Sequence, residues 1–397
     1  MSKVTVQRDV IIPDVLRLQR YQRIPELGPT LLFFTGGTAL KSFSRELKKY
    51  THNSVHLMSP FDSGGSSARL REHFDMPAVG DIRNRLLALA DETVTGNPEV
   101  YELVAFRLPR KGGQSEIKQL LKTIVDGSHP LIKNVPNPMR RLIRLQLGFF
   151  MEHMPANFDL KGASIGNLVL TGGYLNYKRH LDPILFLFSK LLALKGSVQT
   201  ISNEPCHLHA TLESGETILG QHLITGKEVD PINSKVVDLQ LSSSNKSFKP
   251  AQVKLRGKVS KLIKSADLIC YPPGSFYTSL IATLLPKGVA KKIAANNCPK
   301  VFIPNLGVDP EQYGLSVLDS VNILIDYLQR DAGKNVPVNR LLNYIIIDSK
   351  NGSYSSTISS RQLKKYGISL IDTDLVSEHS TPLYDNEKLL HAILSLT

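Results

Sequence analysis

Short apolar runs that stop at polar, glycine-containing turns recur along this chain, and most are followed by residues with helical spacing. The clearest is Leu31-Leu32-Phe33-Phe34, which ends at Thr35-Gly36-Gly37-Thr38 and gives way to a helix-like segment over residues 40–50. A second strand is predicted over 54–58, leading into Pro60-Phe61-Asp62-Ser63-Gly64-Gly65-Ser66-Ser67. A third loop, Gly80-Asp81-Ile82-Arg83-Asn84, opens a helix whose Ile82, Leu86, Leu89 and Ala90 share one face, with Asp81 at the N-cap position. Breaks of this kind leave backbone N–H groups unpaired and pointing outward, which suits a phosphate or another anion. Three of them so close together predict one ligand site.

Further on, strand signals vanish between about 92 and 160, where helices are predicted over 98–106, 115–124 and 138–153, as in a helical insertion. Lys161-Gly162-Ala163-Ser164-Ile165-Gly166-Asn167 then opens an apolar helix, leaving Ser164 and Asn167 free to cap it or to bind a ligand. The stretch 197–241 changes to alternation, with His207-Leu208-His209-Ala210-Thr211-Leu212 before a turn at Ser214-Gly215, the signature of a hairpin. Strands predicted over 268–271 and 300–303 end in the Pro272-Pro273-Gly274-Ser275-Phe276-Tyr277-Thr278-Ser279 loop and in Pro304-Asn305-Leu306-Gly307. In open α/β sheets ligands gather beyond the carboxyl ends of parallel strands, where these loops would lie. A helix over 316–327, strands over 344–347 and 368–371 and a helix over 386–394 complete an α/β pattern. Residues 1–29 read as an N-terminal arm, and 30–397 as one α/β domain without a domain-sized linker.

Composition changes this picture little. A 42% hydrophobic and 21% charged content is that of a globular protein. The net charge of +13 raises nucleic acid as a partner, but the basic residues are scattered in short clusters such as Arg140-Arg141-Arg144, with no nucleic-acid module. The expectation is no nucleic acid, and a positively charged cleft for an anionic small molecule. Cys206, Cys270 and Cys298 are widely spaced and read as thiols of a reducing compartment. Cys206-His207-Leu208-His209 has no further ligand pair nearby to complete a zinc site. No apolar stretch reaches the roughly 20 residues of a membrane span, and the first residues lack a signal-peptide core. The sequence therefore predicts a cytoplasmic protein with no membrane partner. It leaves the oligomeric state open, a homodimer included.

Taken in order, Thr35-Gly36-Gly37-Thr38, the Asp62 to Arg71 run, Gly80-Asp81-Ile82-Arg83-Asn84, Gly162-Ala163-Ser164-Ile165-Gly166-Asn167 and Pro273-Gly274-Ser275-Phe276-Tyr277-Thr278-Ser279 resemble the CofD-like family. That family contains the 2-phospho-L-lactate transferases of deazaflavin cofactor synthesis and the YvcK-like gluconeogenesis factors. The chain looks most similar to the CofD-like proteins of the GAK system. The resemblance runs from about residue 30 to the C-terminus and implies a Rossmann-like three-layer core. It also implies Mg²⁺ and a nucleotide or nucleotide-sugar ligand, with a phospholactyl-type group passing from a nucleoside diphosphate-linked donor to an acceptor. This chain departs from the family pattern at several places. It keeps Asp62 but has Ser63 where a second acidic residue is frequent, which weakens the metal site. Thr35 and Ala39 stand in place of frequent glycines, Ala163 replaces a histidine, and Gly307-Val308-Asp309-Pro310-Glu311 replaces the usual run after Asn305.

The resemblance implies the following roles. Asp62 holds Mg²⁺; Gly36, Gly37, Thr38, Gly64, Gly65 and Ser66 cradle phosphate; and Arg69 or Arg83 stabilises developing negative charge. Ser63, Ser67, Gly80, Asp81, Asn84, Ser164, Asn167, Pro273, Gly274, Ser275, Thr278 and Asn305 complete the ligand-binding set. Phosphoryl-type transfer needs mainly positioning and charge neutralisation, so the lack of a general-base dyad is no objection. The arginines could instead pair on the surface with Glu72 or Asp91, and the competing function is a non-enzymatic UDP-sugar or nucleotide-binding regulator. A dinucleotide-binding oxidoreductase would need a GxGxxG spacing that Gly36-Gly37 lacks.

Overall fold

The computed structural model describes residues 9–226 and 229–397, with the side chain of Ser66 outside the described set. The apolar runs form a parallel sheet of seven strands: β1 (Leu31–Thr35), β2 (Val55–Met58), β3 (Ser197–Thr200), β7 (Leu268–Tyr271), β8 (Lys300–Phe302), β9 (Tyr344–Ile347) and β10 (Ser369–Asp372). Their order across the sheet is β10-β9-β8-β7-β1-β2-β3. The central strands are apolar at nearly every position because both faces are covered, as a parallel sheet requires. Leu32, Phe34, Leu57, Ile269 and Tyr271 point into one core, with Val259, Ile293 and Leu324 from the helices Gly257–Ser265, Val289–Ala295 and Val317–Ala332. Leu31, Phe33, Leu268 and Cys270 point the other way, against Phe43, Leu47 and Ile393 of the helices Lys41–Leu47 and Asn386–Ser395. The α/β layering predicted from the strand pattern is the architecture observed.

A smaller antiparallel sheet is built from β4 (His207–Leu212), β5 (Thr217–Leu219) and β6 (Val236–Ser242), in the order β5-β4-β6. Its buried Leu208, Ala210 and Leu239 join the first core. Within the 197–241 stretch, Ser197–Thr200 belongs to the large sheet, where Val55 pairs with Ser197. The predicted alternation begins only at His207. Helices between residues 65 and 191 enclose a separate core that includes Phe74, Leu103, Leu147 and Phe188 and reaches the large sheet through Met58 and Val198. In the lead-in, the helix Val15–Arg23 packs against the last helix, and Arg17 Nη1 donates to the carbonyl of Ser395 at 3.0 Å. No helix among the described residues is long and apolar enough to cross a membrane.

Two predicted loops are shorter than the sequence suggests. Helices begin inside them, at Gly65 (Gly65–Phe74) and at Gly80 (Gly80–Leu89). The run after β7 is helical from Phe276 to Ile281 and continues through Ala282–Leu284. These changes matter because each brings the start of a helix to the carboxyl edge of the sheet.

Candidate functional site

The strand order reverses at β1: the chain runs outward to β2 and β3 on one side and, much later, from β7 to β10 on the other. Loops on the two sides diverge there and leave a crevice, the usual ligand position in such sheets. A cavity of about 330 Å³ occupies it. Its walls include Gly36, Gly37 and Thr38 after β1, Asp62, Gly64, Gly65 and Ser67 after β2, and Gly80, Asp81, Arg83 and Asn84. Ser275 and Thr278 after β7 complete the predicted part of the lining. Thirteen predicted site residues, from four chain segments, thus meet around one space.

The first turn needs its glycines. Gly37 has φ of 57°, and a Cβ on Gly36 would lie 2.7 Å from Ser279 Oγ, so the turn packs directly on the loop after β7. Asp81 is not the N-cap expected from its sequence position. Val79 holds that place, and the Asp81 carboxylate instead accepts the Gly37 N–H at 2.7 Å, tying the first loop to the third. Asp62 Oδ1 accepts the Gly64 N–H at 3.1 Å.

The electrostatics are dominated by two arginines. Arg83 is 4% exposed, donates to Asn84 Oδ1 at 2.6 Å, and leaves its buried Nε without a hydrogen-bond partner. Arg107 lines the same cavity and donates to the Gly162 carbonyl at 3.1 Å. Neither forms an ion pair among the described residues. Burial, aided by the charge of Arg107 and opposed by Asp81, pushes the Arg83 guanidinium down to about 10, so it stays charged at neutral pH at a cost. Gly166 makes room for it: a Cβ there would sit 2.9 Å from Arg83 Cδ and 2.7 Å from the Val104 carbonyl.

Other predicted residues lie elsewhere. Arg69 is a correction: its guanidinium reaches away from the cavity to the Asp159 carboxylate at 2.8 Å and to the Lys161 carbonyl at 3.0 Å, so it does not face the space where charge would develop. Its partner is neither Glu72 nor Asp91. Ser164 and Asn167 are buried at the start of the helix Ile165–Asn176, outside the cavity lining, and Ser164 Oγ donates to the Val104 carbonyl at 3.4 Å. Ser63 turns out of the cavity to meet His222. Pro273, Gly274 and Asn305 stand behind the wall; Asn305 clamps the loop by accepting the Gly274 N–H at 2.7 Å and donating to its carbonyl at 2.8 Å. Ser66 belongs by its backbone to the helix Gly65–Phe74, and its side chain lies outside the described set.

Behind the same loop, Asp309 accepts the Phe276 N–H at 3.0 Å, and Glu311 accepts the N–H groups of Tyr277 at 2.8 Å and Thr278 at 2.9 Å. The divergent run after Asn305 is thus the internal anchor of the cavity wall. Burial and the neighbouring Asp309 push the Glu311 carboxyl up to about 7 despite these bonds. The sequence analysis did not single out Ser59, Arg107, Gln221, His222, Thr225 or Ser279, which also line the cavity. Ser279 lies inside the quoted Pro273–Ser279 motif, and a polar pair directly after Gly220 marks Gln221 and His222. Nothing local marks Arg107, which reaches the site because its strand-like backbone bridges to Ser164.

The parallel sheet, with glycine turns, helix starts and two guanidiniums at its switch point, places the chain in the broad class of open α/β folds. Comparison with known proteins narrows the class: residues 31–382 match the family described as 2-phospho-L-lactate transferase CofD, and the chain belongs to that family. It is 28% identical over 352 residues to a putative gluconeogenesis factor of Nostoc sp., a match covering 88% of this chain and 61% of that protein. It is 26% identical over 379 residues to a gluconeogenesis factor of Listeria innocua, covering 94% of this chain and 96% of that one. Its fold is similar to the crystal structure of a UPF0052-family protein from Bacillus halodurans, with a TM-score of 0.67 and 23% identity over 92% of this chain and 99% of the other.

Proposed function

We infer that this chain is a CofD-like transferase that binds a nucleoside diphosphate-linked donor in the 330 Å³ cavity and passes a phospho-linked group to an acceptor. The observation that carries this reading is the pair Arg83 and Arg107, two guanidiniums held at one cavity without a carboxylate partner. Burying the Arg83 charge costs free energy in the empty protein, and an anionic ligand offsets it, while Arg107 is exposed and adds its charge from the rim. The N–H groups of Gly37 and Gly64 are already taken by Asp81 and Asp62, so in this reading the phosphate oxygens rest chiefly on the two guanidiniums. In the transfer, Arg83 and Arg107 would neutralise the charge spread over the equatorial oxygens, and the fixed turns would hold donor and acceptor in line.

The residues present are compatible with Mg²⁺. Asp62 uses Oδ1 on the Gly64 N–H, and its Oδ2 accepts no hydrogen bond among the described residues. One carboxylate together with donor phosphates and water is an ordinary magnesium environment. When bound, the ion would neutralise phosphate charge. Ser63, turned towards His222, adds no second carboxylate to this set.

The test is calorimetric titration with GDP and with UDP-glucose, each with and without Mg²⁺, followed by assay of GMP or UMP release from the nucleotide-linked donor. Nucleotide binding that strengthens with Mg²⁺ and weakens at least tenfold in Asp62→Ala is expected. Equal affinity in that variant removes Asp62 from the site. Tight Mg²⁺-independent binding of a UDP-sugar without turnover would overturn the transferase reading in favour of a regulator.

A further inference from the structure

His222 has no role in the reading above, yet it stands at the junction of two spaces. It lines the phosphate cavity and also a neighbouring cavity of about 780 Å³, whose walls include Ser63, Arg71 and Glu72. It is the second residue of the short helix Gln221–Ile224, which follows β5 of the small sheet directly. Its backbone N–H donates to Ser63 Oγ at 3.1 Å, and the same hydroxyl lies 2.8 Å from its Nδ1. Ser63 N–H in turn donates to Gln221 Oε1 at 3.4 Å.

These contacts set the surroundings of the ring. Ser63 Oγ accepts the backbone N–H of His222, and its own proton is within reach of Nδ1 as an acceptor; the reverse direction, Nδ1–H to the second lone pair of Oγ, is the competing tautomer. A ring that receives a hydrogen bond at Nδ1 carries its proton on Nε2 in the neutral form. Nε2 has no hydrogen-bond partner among the described residues. In this tautomer the ring presents an N–H donor at the edge of the cavity, oriented by Ser63 from the loop after β2.

Resting on the functional reading above, we propose that His222 donates its Nε2–H to a phosphate oxygen of the ligand where the ligand leaves the arginine cavity for the larger one, and that Ser63 is the positioning residue that selects this tautomer. His222 then reads the terminal phosphate, the one that carries the transferred group, and the 780 Å³ cavity receives whatever is attached beyond it. The substrate class is a phosphate ester or diphosphate whose last phosphorus bears an oxygen acceptor at this threshold.

The experiment uses GDP and pyrophosphate as probes, with calorimetric affinity for the wild type, His222→Leu, His222→Gln, Ser63→Ala and Arg83→Met, and imidazole ¹⁵N shifts of His222 for the tautomer. His222→Leu is expected to weaken GDP about tenfold, the scale of one hydrogen bond to a charged group. His222→Gln, whose amide can supply a donor near the Nε2 position, restores most of that loss. Ser63→Ala gives an intermediate loss and a mixed tautomer, with the thermal midpoint of each variant checking that it is folded. Wild-type protein that binds neither probe overturns the functional reading and this assignment together. Binding that Arg83→Met weakens but His222→Leu leaves unchanged, or a wild-type ring protonated on Nδ1, overturns this assignment alone.

Discussion

Replacing Arg83 by methionine should make the empty protein more stable and the ligand weaker. The side chain is 4% exposed, and its guanidinium is pushed down to about 10 first by burial and then by Arg107. That depression corresponds to a penalty of roughly 3 kcal/mol on the charged form relative to the unfolded chain. The sign follows from the direction of the shift. A base with a lowered pKa destabilises the fold at every pH below its folded value, and the penalty fades only as pH rises through about 10. At pH 7 the penalty is fully present. Methionine keeps most of the aliphatic stem and removes the charge, while the lost bond to Asn84 returns about 1–2 kcal/mol. The net expectation is a gain of about 1–2 kcal/mol, seen as a higher urea midpoint with an unchanged slope. The same variant should bind GDP on the order of 10- to 100-fold more weakly, because a charge-assisted contact to phosphate is gone. Urea unfolding with and without GDP measures both. A variant less stable than wild type by about 1 kcal/mol or more without ligand would refute the argument and make Arg83 a structural residue.

Other predictions follow from the same geometry. Glu311→Gln should flatten the pH dependence of stability: a carboxyl raised to about 7 makes the wild type lose stability as pH rises from the ordinary carboxylate range to about 7, and thermal midpoints from pH 5 to 8 would show the slope disappear. Arg69→Ala should leave GDP affinity within about twofold and cost no more than about 1 kcal/mol, because its partner Asp159 is half exposed; a tenfold loss of affinity would return Arg69 to the site. Gly166→Ala should cost about 1–3 kcal/mol and also weaken GDP, since the added methyl group meets the Val104 carbonyl on one side and Arg83 on the other; unchanged affinity would show that Arg83 does not need this support.

The strands that surround the site were legible because a parallel sheet covered on both faces demands continuous apolar runs, as in Leu31-Leu32-Phe33-Phe34 and Leu268-Ile269-Cys270-Tyr271. Ser197-Val198-Gln199-Thr200 was not, since it is half polar and becomes a strand through pairing with β2. The glycine turns announced a site because few other functions need backbone freedom directly after a strand. Asp81 was misplaced by two positions, Val79 being the N-cap. Sequence marks an acidic residue near a helix start, but only tertiary structure shows that its acceptor atoms face Gly37, on another loop. The arginines carry the same lesson. Arg69 and Arg83 look alike in sequence, and the folding of residues 107–167 against them decides which is turned out to Asp159 and which is held at the cavity with Arg107.

The reversal of strand order at β1 also sets when this protein can acquire its site during synthesis. β1 finds β2 soon after both have emerged, but its other edge waits for β7, as the pairing of Leu31 with Leu268 shows. At about 5–20 residues per second, that edge stays unpaired on the ribosome for on the order of ten to fifty seconds. During this interval the nascent chain carries the two glycine turns, Asp62 and both cavity arginines, but not the loop with Ser275 and Thr278 that closes the cavity. Under the proposed function, a bound nucleotide would therefore assist only the last third of folding. The apolar edge of β1 is the place where a holding chaperone, or an unwanted neighbouring chain, would first take hold.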